Sequence, residues 1–290
     1  MGDFLDKAPR RTLSEMAESS PSRIAAELVA LFGHISRLPD KVQWVHREIA
    51  ADLGEPLDAA LERGCSAVAS IIDANARSFD RHPYHNRQHF CEVALTGYIL
   101  CLLSRQGVRM TQFMLLAALV HDFVHEGASS ETFLLERASV EQVRGILEQA
   151  GLDATDLRRL TVLVLSTDPK RGNAFMAAAC RFHSPGGGAP PELPPGAPEL
   201  AELLIDAHLA ELARLLCEAD ILPSIGLNLA HAMQLQQRLA HEWGRPLDAR
   251  DKLAFIDAVL GHHIVGAFFL PNVQEMRAAL TGELHEHAPG

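Results

Sequence analysis

Apolar residues recur at helical spacing in one segment after another of this chain, and no stretch alternates apolar with polar residues over several positions between turn residues. The segments are IAAELVALFGHI (24–35), LDAALERGCSAVASIIDANA (57–76), HFCEVALTGYILCLL (89–103), TQFMLLAALVHDFV (111–124), SVEQVRGILEQA (139–150) and DLRRLTVLVLS (156–166). Strands are not needed to bury this much apolar surface. The expected fold class is all-α, a compact single-domain array of antiparallel helices. With aromatics at only 6% and Ala and Leu recurring throughout, the composition leans the same way.

Two stretches interrupt the pattern. Residues 1–20 are polar and Ser-rich and read as a mobile tail, which leaves 21–290 for the folded part. HSPGGGAPPELPPGAPEL (183–200) carries too much Gly and Pro for helix or ladder, so it should be an exposed loop, either a plain insertion or a lid near the active site. Helical patterning resumes with LAELLIDAHLAELARLLCEAD (200–220), and no internal repeat is visible.

A formal charge of −11 argues against a nucleic-acid polymer as partner, since backbone binding needs basic patches to displace counterions. A small phosphate-bearing substrate stays open, because a bound divalent metal inverts the local field. The five cysteines, 65, 91, 101, 180 and 217, never form a C-x-x-C pair and read as reduced thiols. MGDFLDKAPRRTLSEM lacks the apolar core of a secretory signal, and Asp6 stands where a myristoylation motif wants Ser or Thr. No run of 18 uncharged apolar residues exists, so a cytoplasmic protein without membrane attachment is expected. A homodimer is compatible with the chain but not required by it.

Three segments carry candidate chemistry. In Pro83-Tyr84-His85-Asn86-Arg87-Gln88-His89, the two histidines lie four apart and would share a face once the helix has begun. They could serve one site as two ligands, or as a ligand and an acid, or simply bond to each other. In LLAALVHDFVHEG (115–127), an apolar helix ends in His121-Asp122 with His125 one turn on. Burying such groups is costly unless they are paired or metal-bound, although His near a helix C-terminus is also favoured by the dipole. Adjacent side chains diverge by about 100° on a helix, so Asp122 could bridge two metals while His121 faces one. In LLCEADILPSIG (215–226), Asp220 closes an apolar helix shortly before a proline; alone it could equally be a solvated carboxylate or an N-cap.

The order of these motifs resembles the HD superfamily, and within it the catalytic domain of class I cyclic nucleotide phosphodiesterases. The family pattern appears as YHNRQH (84–89) and HDFVHEG (121–127), with Thr167-Asp168 in VLVLSTDPKR and Ala219-Asp220-Ile221 before Pro223 as further matches. The likeness spans about residues 80–270. It implies that His89, His121, Asp122 and Asp220 hold one metal, typically zinc. Asp122 would also reach a second, water-rich magnesium or manganese, and iron is the alternative metal. His85 would be the general acid, with His125 and Glu136 around the reactive water. Thr167 would hold a water of the second metal, Asn86 would brace the motif, and Tyr84 would lie at the substrate. The implied reaction is hydrolysis of a small phosphodiester, a 3′,5′-cyclic nucleotide yielding a 5′-nucleotide.

The likeness departs from the family in two places. Lys252 stands where the family has the glutamine that holds a purine, three residues ahead of Phe255 at the position of the clamping aromatic. Lysine donates but cannot accept, so it cannot repeat an amide's two-way contact; it could also be an ordinary exposed helix lysine. LLERASVEQV (134–143) replaces the family's Leu-Glu-Asn-His-His segment. Alternatives are an HD-type hydrolase of another phosphate ester, a di-iron HD oxygenase, and a non-catalytic nucleotide sensor. His208, His231, His241, His262 and His263 read as surface or core histidines.

Overall fold

The structure, a computed structural model, describes residues 11–54, 56–125 and 131–286. Among them are fifteen α-helices, one short 3-10 helix and no strand. One hydrophobic cluster runs from Leu13 to Leu280. No described helix is long and apolar enough to cross a membrane.

Three helices at the centre position the candidate site. Helix α6 (Arg87–Leu103) is buried on every side from Arg87 to Cys101, and α7 (Val108–Val120) and α12 (Ala207–Ile225) are buried almost as fully. Helices apolar all round belong in the middle of a helical array, and these three pack on one another. Gly97 lets them approach, because a Cβ there would lie 2.9 Å from Met114 Sδ and 3.5 Å from Ala219 Cβ. Gly97→Ala should be near neutral, since helix propensity offsets a small shift of a flexible thioether. Gly97→Val should cost about 1–3 kcal/mol by overpacking the three-helix junction, read as a lower urea midpoint at unchanged slope.

Several boundaries differ from the sequence reading. The stretch assigned to the tail contains α1 (Leu13–Ala17), started by a capping box between Thr12 and Glu15. Leu13 and Met16 are buried, and Asp52 accepts from Ser14 N and Oγ and from Tyr98 Oη. The first ten residues lie outside the described ones. Helix α7 stops at Val120 instead of running through Val124, because Val124 N–H donates to Ser139 Oγ and Phe123 packs edge-on against Phe79. Asp220 does not end its helix. Helix α12 continues past it through Pro223, which lacks the N–H that would bond the Ala219 carbonyl. The 200–220 segment is also broken, with Asp206 capping α12.

The Gly/Pro-rich stretch is an exposed loop as far as Gly196, apart from a few half-buried positions. Its end is fastened: Arg137, on α8 (Leu134–Ala150), bonds the Gly196 carbonyl and both carboxylate oxygens of Glu199.

Candidate metal centre

His89 sits in the first turn of α6, where Asn86 is the N-cap. Asn86 Oδ1 accepts from Gln88 N and His89 N, while its Nδ2 donates to the carbonyls of His82 and Pro83. With its amide spent on backbone, Asn86 shapes the turn and has nothing left for substrate. Arg87 ties the same turn to Asp73, Asp80 and the Pro39 carbonyl.

His121 follows the end of α7, and Asp220 projects from the middle of α12. Their donors meet those of His89. The two Nε2 atoms are 3.2 Å apart, and Asp220 Oδ1 is 3.1 Å from His89 Nε2 and 3.7 Å from His121 Nε2. Asp122 Oδ2 lies 3.3 Å from each imidazole Nε2. His121 keeps helical dihedrals as the C-cap of α7, yet its Nε2 and Asp122 Oδ2 meet at 3.3 Å, so the two side chains converge instead of diverging. His121 Nδ1 is 2.9 Å from the Ala118 carbonyl, which assigns its proton to Nδ1 and aims the Nε2 lone pair inward.

Burial pulls His89 down, yet Asp122 and Asp220 outweigh it and hold the imidazole at about 9; His121 is raised in the same way. Burial would raise both carboxyl groups, but the imidazoles hold Asp122 and Asp220 well below the usual carboxylate range. The pocket is therefore built to stabilise positive charge between two carboxylates. Nitrogen and oxygen donors of His89, His121 and Asp220 lie within 4.8 Å of one another, a donor set that suits a zinc-like divalent ion.

A second cluster adjoins the first. His85 precedes the N-cap, so it is not on the helical face of His89; its ring centroid is 5.6 Å away. It is held instead by Glu242, on α13 (Leu229–Trp243). Glu242 Oε1 is 2.5 Å from His85 Nδ1, and Oε2 accepts from the backbone N–H groups of Tyr84 and His85. Burial opposes the Glu242 charge, but these bonds hold its carboxyl at about 2. His85 Nε2 is left 3.9 Å from Asp122 Oδ2. His125 stacks on His85 at 3.6 Å between centroids, and burial pushes it down to about 4. Glu242 escaped the sequence reading. It ends an ordinary amphipathic helix, and only tertiary packing brings it to His85.

The remaining candidates divide. Burial, with Asp168 and Asp122 in support, pushes Glu136 up to about 7 near the centre. Thr167 Oγ1 donates to the Val164 carbonyl, and Asp168 accepts from the N–H groups of Phe133, Lys170 and Arg171. Tyr84 Oη meets Ser224 Oγ at 3.1 Å. Phe255, on α14 (Ala249–Gly261), is exposed. Lys252 is not the exposed helix lysine that the sequence allowed. It is 6% exposed, with Nζ donating to the Ser224 carbonyl. His231 takes the structural role expected of it, bonding Glu92 beside Phe32.

Burial lowers Lys252 from 10.5 to about 8. The folded state thus carries the full cost of a buried ammonium below pH 8, and that cost fades as pH rises towards the unfolded value. Lys252→Met should therefore stabilise the protein at pH 7 by about 1–3 kcal/mol, with a smaller gain at pH 10, as read from urea midpoints at both pH values.

No protein-family model and no curated protein matches the chain. Solved structures do. The phosphodiesterase domain of the RhoPDE fusion protein from the choanoflagellate Salpingoeca rosetta is 19% identical, with a TM-score of 0.55 over 96% of this chain and 95% of that one. LmjPDEB1, solved with IBMX, is 16% identical, with a TM-score of 0.59 over 97% and 99%. A second structure of the Salpingoeca rosetta rhodopsin phosphodiesterase domain is 18% identical, with a TM-score of 0.53 over 93% and 88%. The chain has the all-α fold of phosphodiesterase catalytic domains.

Proposed function

We propose that this protein is a metal-dependent phosphodiester hydrolase acting on a small molecule, a 3′,5′-cyclic nucleotide that it opens to the 5′-nucleotide. One observation carries the reading: two imidazoles and two carboxylates from α6, α12 and the end of α7 converge beside a histidine that a buried carboxylate holds by its far nitrogen. Divalent ions held by His89, His121, Asp122 and Asp220, zinc together with magnesium or manganese, would supply positive charge for the phosphate oxygens and acidify a water.

The protein's own groups account for the proton traffic. Glu242 keeps a proton on His85 Nδ1, so Nε2 can carry a second proton and deliver it to the departing ester oxygen. Asp122 Oδ2 lies 3.9 Å from that nitrogen, which places the donor beside the proposed ligand set. Glu136, pushed up to about 7 and half-buried, can exchange a proton near neutrality at the attacking side.

The test is a hydrolysis panel of cAMP, cGMP, cyclic dinucleotides and bis-p-nitrophenyl phosphate, run after chelation and again after return of Zn²⁺ with Mg²⁺ or Mn²⁺. Activity should vanish with the chelator and return with metal. Protein that is metal-loaded yet hydrolyses none of these diesters would overturn the reading.

A further inference from the structure

We infer that His85, His125 and Glu242 form a separate cation site, which binds a zinc ion in excess of those at the main centre and thereby switches the enzyme off. One nitrogen from each histidine and a carboxylate oxygen lie within 4.8 Å of one another. Both Nδ1 atoms face the same oxygen, Glu242 Oε1, at 2.5 Å from His85 and 3.8 Å from His125. The donors of a tetrahedral zinc ion are separated by about 3.3 Å, which both Nδ1–Oε1 gaps approach, although the stacked rings of His85 and His125 must part and turn before both lone pairs meet one ion. Two imidazoles and one carboxylate favour zinc over magnesium, which prefers oxygen and retained water.

Access and anchoring support the site. His82, His85, Asp122 and His125 line a cavity of about 360 Å³ that also reaches Arg81. His82 meets His125 edge-on at 5.9 Å, so its ring would sense an ion bound beside His125. Glu242 is already fixed by two backbone N–H groups, so its carboxylate needs no further ordering when an ion arrives. The ion would replace the proton shared between His85 Nδ1 and Glu242 and release it to solvent. His85 would then be a neutral ligand, no longer anchored as a proton donor. Inhibition therefore rests on the role proposed for His85, whereas ion binding does not.

Metal analysis after equilibrium dialysis against rising Zn²⁺ tests the binding. Wild type should hold one equivalent more than either His125→Gln or Glu242→Gln, all three having been shown to be folded by circular dichroism. As that equivalent enters, wild-type turnover should fall more than tenfold. His125→Gln, compared with its own rate at low zinc, should change less than twofold. The same titration, followed by NMR of the wild-type histidine rings, should move His82, His85 and His125 at the final equivalent. Equal stoichiometry in the three proteins, or unmoved His85 and His125 signals, would refute the site. An extra ion that leaves wild-type turnover intact would refute the switch. Stoichiometry and NMR decide the binding even if no phosphodiester is hydrolysed.

Discussion

Asp122→Ala should abolish diester hydrolysis, lowering turnover by roughly a thousandfold or more, which corresponds to about 4 kcal/mol of transition-state stabilisation. Asp122 Oδ2 is 3.3 Å from both inward-facing imidazole nitrogens and 3.9 Å from His85, so its loss disturbs both clusters. Metal content should fall too. Added zinc or manganese should raise wild-type stability by about 2.7 kcal/mol at a hundred times the dissociation constant, with little gain for the variant. Without the carboxylate, the pKa values of His89 and His121 should drop, which two-dimensional NMR of the imidazole rings would show in metal-free protein. Unchanged metal content together with unchanged turnover would remove Asp122 from the site.

Glu242→Gln should have the second-largest effect, and its size should depend on the substrate. Glu242 touches no substrate in this reading; it positions His85 through Nδ1 and holds the backbone of Tyr84 and His85. Losing the charge loosens the hold on His85 Nδ1 and so misplaces the proton donor. Turnover of a cyclic nucleotide, whose alkoxide leaving group needs a proton, should fall about a hundredfold. Bis-p-nitrophenyl phosphate, whose phenolate departs without one, should lose less than about fivefold. Equal losses on both substrates would mean that Glu242 supports only the fold.

How far these features could be read from the sequence follows from how local their causes are. The all-α class was legible because helical periodicity is written residue by residue. His89, His121, Asp122 and Asp220 stood out through motif order, and the structure brings all four together. Their local settings were less legible. The four-residue spacing of His85 and His89 implies a shared face only once the helix has begun, and Asn86 caps the helix after His85. Pro223 reads as a stop just after Asp220, yet buried α12 tolerates the proline. The capping box at Thr12 and Glu15 was present in the sequence and could have located α1. Glu242 and the burial of Lys252 could not have been found, since each depends on contacts with residues far away in sequence.

The reach of Glu242 back to His85 across 157 positions has a bearing on biosynthesis. Every proposed ligand of the main centre has been translated by Asp220, but the partner of the histidine arrives only with α13. In the growing polypeptide the proposed ligand set is thus complete before the support for His85 has been made. Premature termination between those two points would remove α13 together with the apolar side chains from Ala232 to Leu280 that belong to the single core, so the fragment would lack packing as well as the support for His85.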